Sequence, residues 1–219
     1  MSENLMSIVH RKDRFTTIAL GIGVTVPILY FGVQLVAALL YPGYSFLSQS
    51  ASQLGSDLAK YPAIFNVGAI LTGLATLIAS WGFLSGLRRV GTNPILSWLT
   101  ALVLASSALM HLWAGIFPMP DPRHGANPFQ IGTLLLPVLM AIVSWNRSGP
   151  FLRAYFIASI VLLAALMGNV VEVDRQVHDG LFQRILALTV FPPIGFAAYS
   201  LAQHLKDLPG SLRTTARAA

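Results

Sequence analysis

The chain has 219 residues, of which 55% are hydrophobic and only 10% are charged. A soluble domain carries about 25% charged residues, so this composition excludes an ordinary soluble fold and indicates a protein whose main solvent is lipid. The net charge is +6, but the basic residues lie in short loops between apolar segments, so we expect no nucleic-acid partner. There is no cysteine, which excludes disulfides, thiolate catalysis and cysteine-ligated metals.

Six apolar segments follow one another along the chain, and a membrane-spanning helix needs about 20 such residues. The segments are 15–41, 63–87, 95–117, 129–145, 151–171 and 181–205, the fourth being the shortest. We predict an all-α, polytopic membrane protein with six transmembrane helices. Its parts are an N-terminal segment (1–14), a single transmembrane domain (15–205) and a tail (206–219).

The lysines and arginines predict the orientation of these helices. Ten of the 14 lie in the N-terminus, the tail and the loops on one side, and only four on the other. Because loops rich in Lys and Arg stay in the cytoplasm, we predict that both termini are cytoplasmic and that the chain crosses the cell (inner) membrane several times. We interpret the N-terminal apolar segment as a retained first span, because it is too long for a signal-peptide core.

The segment 41–58, between the first two spans, is rich in hydroxyls and amides but carries only one charge, Asp57. Read at helical spacing, it has an apolar face opposite its serines and glutamines. The apolar face consists of Leu47, Ala51, Leu54 and Leu58. This pattern predicts a short amphipathic helix on the outer side, which either lies at the membrane surface or folds back into the protein. Its polar residues, with others nearby, are candidate binding residues: Ser48, Ser52, Asp57, Asn66 and Arg184.

Three residues are candidates for catalysis: His111, Asp121 and His124. His111 lies within the third span, where an ionisable group usually faces a partner or a cavity; alternatively, it bonds to the helix turn at Ser107. Asp121 and His124 flank Arg123 in a stiff loop, which is either functional or a solvated turn with a local ion pair. A loop serine beside one of these histidines would be a nucleophile with its base, although capping is the commoner role of such serines.

Candidate metal ligands are His111, Glu172 and His178, because imidazole and carboxylate groups together bind zinc or manganese. No compact ligand motif is present, so an acidic loop that binds nothing is the alternative, and the need for a cofactor stays open. Arg184 either pairs with an acid such as Glu172, Asp179 or Asp121, or contacts a phosphate or carboxylate group.

These loops resemble a bacterial and archaeal membrane family catalogued as domain of unknown function 998. The similar stretches are Tyr41-Pro42-Gly43-Tyr44-Ser45 and its continuation to Gly55, Asn66, Ile116-Phe117-Pro118 followed by Asp121, and Gly180-Leu181-Phe182-Gln183-Arg184. Two positions depart from the family pattern, since Gln53 and Gln183 stand where acids are usual. The resemblance implies a six-helix membrane protein with its motif residues at the outer face, and no established reaction.

Three functions are compatible with the sequence. The first is binding or movement of a lipid or small amphiphile at a site on the extracytoplasmic face. The second is a membrane-embedded hydrolase, metal-dependent or not, that acts on lipid. The third is a non-catalytic accessory subunit that packs against another membrane protein.

Overall fold

The computed structural model describes residues 3–168, 170 and 174–208. Over this part of the chain, helices are the only regular elements. The α-helices are α1 (Glu3–Leu39), α2 (Pro62–Arg89), α3 (Pro94–Ile116), α4 (Pro122–Gly125), α5 (Gln130–Ser144), α6 (Pro150–Met167) and α7 (Arg175–Asp207). Two short 3-10 helices, Ala51–Gly55 and Trp145–Arg147, lie in the connections. The predicted all-α class is confirmed.

Local sequence signals explain where these helices begin. Proline occupies the first turn of α2, α3, α4 and α6, where its missing N–H is not needed and its fixed φ suits the helix. The Asn93 side chain caps α3 by accepting hydrogen bonds from the N–H groups of Ile95 and Leu96. Asp174 caps α7 in the same way. Each cap supplies an acceptor to N–H groups that the helix itself leaves unpaired.

Five helices are long and apolar enough to cross a membrane, namely the apolar part of α1 from Arg14, then α2, α3, α6 and α7. The remaining apolar helix, α5, is shorter, and its 15 residues extend about 22 Å at 1.5 Å per residue. The chain is therefore a membrane protein by the length and composition of its helices. A sixth crossing by α5 stays a prediction.

The amphipathic helix expected in segment 41–58 is not confirmed. That segment consists of turns and the five-residue 3-10 helix. Its apolar residues do not share a face, because Leu54 is 1% exposed while Leu58 is 74% exposed. The segment is fixed by hydrogen bonds to other helices rather than by a helical period of its own.

The bundle has α2 at its centre, packed along α1 and α3, while α7 packs against α1, α5 and α6. Small residues on α2 permit this close approach: a Cβ added to Gly82 would meet Ala19, and one added to Gly73 would meet Leu112. The interior holds large apolar side chains such as those of Phe83 and Phe156. Many other apolar side chains, on every long helix, instead point outward, as expected where lipid is the solvent.

α1 and α7 pack against each other, and each contains one irregular position: a proline in α1 and a kink in α7. Pro27 lies inside α1 and packs against Gly195 of α7, where an added Cβ would come within 2.9 Å of the proline ring. Four residues earlier in α7, Phe191 stacks on Tyr30 of α1 with ring centroids 3.7 Å apart. At the start of α7, the backbone of His178 leaves helical geometry, which kinks the helix.

Candidate functional site

One end of the bundle gathers the loop 41–61, the turn helix α4 and the first turns of α7; we call it the loop end. The three parts are joined by hydrogen bonds between residues far apart in sequence. The serine-rich stretch is thus held against the bundle by specific contacts, and its conformation depends on tertiary structure.

Arg184 of α7 is the main anchor of the 41–61 loop. One of its terminal nitrogens, Nη1, donates to the carbonyl oxygens of Phe46 (2.8 Å), Gln49 (2.9 Å) and Gly180 (2.9 Å). The other, Nη2, donates to the Tyr44 hydroxyl at 2.5 Å, and the guanidinium lies 4.7 Å from the centre of the Phe46 ring. An arginine presents several donors in a rigid plane, which suits it to collect carbonyls from one loop.

Tyr44 completes this cluster from the loop side. Its hydroxyl lies within hydrogen-bond distance of the carbonyl oxygens of Gln49 (3.1 Å) and Ser50 (2.9 Å), to which it donates, while it accepts from Arg184. Burial raises the pKa of Tyr44, and the nearby guanidinium opposes that shift. The phenol therefore remains protonated at neutral pH, as its donor role requires.

Further contacts attach the loop to α7 and α2. The Leu181 N–H donates to the Leu47 carbonyl at 2.9 Å, and the Ala51 N–H donates to the Gln183 side-chain oxygen at 2.6 Å. Gly180 permits this approach, because an added Cβ would meet loop carbonyl oxygens. The end of the loop is held by α2, where the side-chain amide of Asn66 donates to the Gly55 carbonyl at 3.0 Å.

His124 links the loop to α4. Its Nε2 lies 2.9 Å from the Ser52 hydroxyl, and its Nδ1 lies 2.8 Å from the Phe117 carbonyl oxygen. A carbonyl only accepts, so Nδ1 carries the proton and Nε2 accepts from Ser52. Of the three catalytic candidates, His124 is the one that hydrogen-bonds directly to a candidate binding residue.

Two cavities lie at the loop end, and the smaller one is bordered by the loop itself at Ala51 and Ser52. The smaller, about 130 Å³, is bordered by Ser52 and His124, and the larger, about 400 Å³, extends between α1, α3, α5, α6 and α7. We call the two together the loop-end cavities. Among the described residues that line them there is no aspartate, glutamate, lysine or arginine. They share a wall formed by Tyr30, Met110, His111, Gln130 and Gln183.

His111 borders both cavities from within α3. It is 6% exposed, and its Nδ1 lies 2.7 Å from the carbonyl oxygen of Ser107, one turn earlier. Because that carbonyl can only accept, Nδ1 holds the ring proton and Nε2 keeps its lone pair. The rings of Tyr30 and Phe191 contact it edge to face, with centroids 5.8 and 5.1 Å away. The histidine thus makes the bond to the turn at Ser107 and also borders a cavity, so its functional role stays a prediction.

Comparison with known proteins agrees with the resemblance in the loops. A family model described as a protein of unknown function (DUF998) matches residues 24–198. The chain belongs to this family. No curated protein and no solved structure matches the chain. The matched range includes the whole loop end, from the Tyr-Pro-Gly-Tyr-Ser motif to Arg184, and so the anchoring contacts lie within the DUF998 region.

The remaining catalytic candidate of this DUF998 chain, Asp121, lies outside both cavities. Its carboxylate pairs with Arg123 at 2.6 Å and caps α4 by accepting from the Arg123 N–H at 2.9 Å. The guanidinium is exposed and also lies 4.0 Å from the centre of the Phe117 ring. Hydrogen bonds from Arg123 hold the pKa of Asp121 at about 2. This is the local ion pair that the sequence offered as an alternative.

The candidate binding residues separate into two groups. Ser52, Asn66 and Arg184 make the contacts that hold the loop end together, whereas Ser48 and Asp57 are exposed and line neither cavity. Arg184 has no acidic partner within salt-bridge distance in the described part of the chain. Its partners in the described part of the chain are backbone carbonyls and the Tyr44 hydroxyl. Because Glu172 lies outside the described residues, a pair with that acid stays a prediction.

The candidate metal ligands are not brought together in the described part of the chain. Within residues 3–168, 170 and 174–208, no group of three or more His, Asp or Glu side chains is placed to hold a metal ion. His111 is enclosed by aromatic rings, and His178 lies at the kink of α7. Because Glu172 lies outside the described residues, the metal site stays a prediction.

Sequence reasoning missed three residues that organise the loop end: Tyr44, Gly180 and Gln183. Each lies in a stretch that carries the DUF998 resemblance. A usable signal was present for Gly180 and Arg184, because residues four apart lie on the same face of a helix. On that face, Gly180 leaves room for another chain segment, and the Arg184 side chain supplies hydrogen-bond donors to its backbone.

Proposed function

We propose that this DUF998 chain binds a lipid or small amphiphile in the loop-end cavities. The observation that carries the proposal is the pair of adjoining cavities, about 130 and 400 Å³, at the loop end. Together they fall within the range of about 300–1,000 Å³ typical of small-molecule sites. Their shared wall places amide and imidazole groups between the more polar, smaller cavity and the mainly apolar larger one.

The lining favours a ligand with one apolar chain and a neutral polar head. The wall that α7 gives to the larger cavity is mainly apolar, with residues such as Leu186 and Val190. The polar groups of the shared wall are two glutamine amides and the His111 imidazole, which form hydrogen bonds but carry no charge. Arg184, which the sequence offered as a phosphate contact, donates three hydrogen bonds to the loop and one to Gly180 of its own helix. A phosphate head would therefore lack a cationic partner in the cavities, and charge without a partner is costly to bury.

The orientation belongs to the same proposal. Basic residues are concentrated at the end of the helices opposite the loop end. They include Arg88, Arg89, Arg147, Arg153 and Lys206. This excess supports cytoplasmic termini, and the ligand would then enter from the extracytoplasmic side of the cell membrane. An accessory subunit of a membrane complex stays an alternative function.

Binding can be measured with a fluorescent single-chain lipid and a cavity-filling variant. The full-length protein in nanodiscs is titrated with nitrobenzoxadiazole-labelled monoacylglycerol, using the equally labelled lysophosphatidic acid for comparison. Ala187→Phe places a ring in the larger cavity, because Ala187 lines it and is 4% exposed. The neighbouring Leu188→Phe is the matched control, since Leu188 is 49% exposed on the outside of α7.

We expect saturable binding of the monoacylglycerol by the wild type and by Leu188→Phe, loss of binding in Ala187→Phe, and weaker binding of lysophosphatidic acid. The proposal is wrong if the wild type shows no saturable binding, or if the Ala187 and Leu188 variants bind equally well. Tighter binding of lysophosphatidic acid would overturn the neutral head group.

A further inference from the structure

We infer that Ser52 and His124 form a nucleophile and its general base, and that the loop end transfers the acyl group of an ester ligand to water. This inference rests on the proposed function, because the ester is part of the amphiphile that occupies the loop-end cavities. The two residues are 72 positions apart, yet the Ser52 hydroxyl lies 2.9 Å from Nε2 of His124. That distance is within the reach required between a serine and its base.

The hydrogen bonds of His124 fix the tautomer that a general base needs, with the free lone pair on the nitrogen that faces Ser52. Nδ1 donates to the Phe117 carbonyl at 2.8 Å, which fixes the tautomer and the orientation of the ring. Nε2 therefore presents a lone pair to the Ser52 hydroxyl. A third group that orients the base is the arrangement by which serine nucleophiles are generally activated, with a backbone carbonyl here in place of a carboxylate.

Both members of the pair are positioned by other contacts. Ser52 lies in the 3-10 helix Ala51–Gly55, whose first N–H donates to the Gln183 side chain. The turn that carries His124 is held by Trp113 of α3, which donates to the Arg123 carbonyl at 2.8 Å. The anchors of the loop on α2 and α7 do not involve Ser52 or His124. The Ser52–His124 bond joins the loop to α4, and the loop keeps its separate anchors on α2 and α7 when that bond is lost.

The pair faces the space where the ligand would bind. Ser52, His124 and Gln183 all border the smaller cavity, and Gln183 also borders the larger one. The side-chain oxygen of Gln183 accepts from the Ala51 N–H, which leaves its –NH₂ group as a donor on the cavity wall. An ester carbonyl near Ser52 would find in this amide a donor for the negative charge that develops on its oxygen.

The reaction conserves atoms and electrons with water as the only co-reactant. The Ser52 oxygen attacks the ester carbonyl carbon while Nε2 of His124 takes the hydroxyl proton. The tetrahedral adduct collapses, the carbon–oxygen bond to the alcohol breaks, and His124 gives the proton to the departing alkoxide. Water then attacks the acyl-serine with His124 as base, which releases the carboxylic acid and restores the Ser52 hydroxyl.

The experiment uses full-length protein in nanodiscs, treated with a fluorophosphonate, which phosphonylates an activated serine and loses fluoride. The adduct is located by peptide mass spectrometry, and release of fatty acid from monoacylglycerol is measured in parallel. The variants are Ser52→Ala, His124→Gln and Ser48→Ala. Ser48 is the matched control because it is an exposed serine of the same loop that borders neither cavity.

We expect the wild type and Ser48→Ala to be labelled on Ser52 and to release fatty acid at equal rates. Ser52→Ala should do neither, and His124→Gln should be slower by about 100-fold or more, the usual contribution of a general base. Both variants should keep the wild-type hydrogen exchange of the Ala51 and Leu181 amides, which shows that the loop stays anchored and the protein folded. A merely structural bond would alter folding or binding and would give no adduct.

The two proposals fail in different ways. If the wild type binds monoacylglycerol but gives no Ser52 adduct and releases no fatty acid, the inference is overturned and the proposed function stands. If Ser52 is labelled and His124→Gln abolishes labelling although no monoacylglycerol binds, the nucleophile and base stand and the ligand class of the proposed function is wrong. Labelling that persists in His124→Gln at the wild-type rate also overturns the inference.

Discussion

Arg184→Ala should release the 41–61 loop from the bundle without unfolding the helices. Three of the Arg184 hydrogen bonds reach the loop, to the carbonyl oxygens of Phe46 and Gln49 and to the Tyr44 hydroxyl. A hydrogen bond from a charged group contributes about 1.5 kcal/mol at the low end of the usual range, so three contribute about 4.5 kcal/mol. The site is only partly buried, and water will replace some of these bonds, so we expect a net loss of about 3 kcal/mol.

Amide hydrogen exchange reports this loss directly. The N–H groups of Ala51 and Leu181 join the loop to α7, and their exchange requires the loop to open. A loss of about 3 kcal/mol corresponds to exchange roughly 150-fold faster. Amides in the centre of α3, such as that of Leu104, should exchange as in the wild type, because the loop makes no contribution to their helix hydrogen bonds.

The matched control is Arg123→Ala, which removes another arginine from the same end of the protein. Arg123 pairs with Asp121 at the surface instead of anchoring the 41–61 loop, so its loss should leave exchange at Ala51 and Leu181 unchanged. We expect the Ala51 and Leu181 amides to exchange about 150-fold faster in Arg184→Ala. If their exchange rates stay within about twofold of the wild type, the anchoring role is refuted. Equal acceleration in both variants would show a general effect of lost positive charge.

Two further predictions concern the same end of the molecule. Gly180→Ala should lower the melting temperature in detergent, because its Cβ would meet loop carbonyls and overpacking costs about 1–3 kcal/mol. The control Gly21→Ala should leave the melting temperature unchanged, because nothing lies within 4 Å of the added Cβ. Equal melting temperatures of the two variants would contradict this prediction. Asp121→Asn keeps an N-cap acceptor and loses only a surface ion pair, so ligand binding and Ser52 labelling should stay at wild-type levels. The pKa of Asp121 is depressed to about 2, so the stabilisation from this pair is present at neutral pH and is lost only as the pH falls through about 2. If ligand binding changed between about pH 5 and 8 in the wild type but not in Asp121→Asn, this account of Asp121 would be wrong.

The helices could be predicted closely because their signals are local. The predicted span 63–87 is observed as Pro62–Arg89 and the predicted span 95–117 as Pro94–Ile116. Apolar length, a proline in the first turn and basic residues after the last turn are all read within one segment. The largest differences are at two helix starts: α1 begins at Glu3, well before its predicted start, and α7 begins at Arg175, before its predicted start. Asp174 caps α7, and the kink at His178 is tolerated.

The loop 41–61 shows why the site could not be predicted in the same way. Its serines and leucines do repeat at helical spacing, but its backbone groups find better partners on α2 and α7. Tertiary hydrogen bonds overrode the local pattern. The choice between Ser48 and Ser52 likewise depended on which serine meets His124, and nothing in the spacing of the serines distinguishes them.

The sequence by itself determined that this is an all-α membrane protein of the DUF998 family, since an apolar composition, long apolar segments and the loop motifs are properties of the chain alone. Only the tertiary structure decided what the polar residues do. Arg184 donates to carbonyls of the 41–61 loop, Asp121 pairs with Arg123, and Ser52 meets His124 from 72 residues away. The physical reason is that a polar group near a membrane must find a partner, and that partner is fixed by which helix ends come together in space.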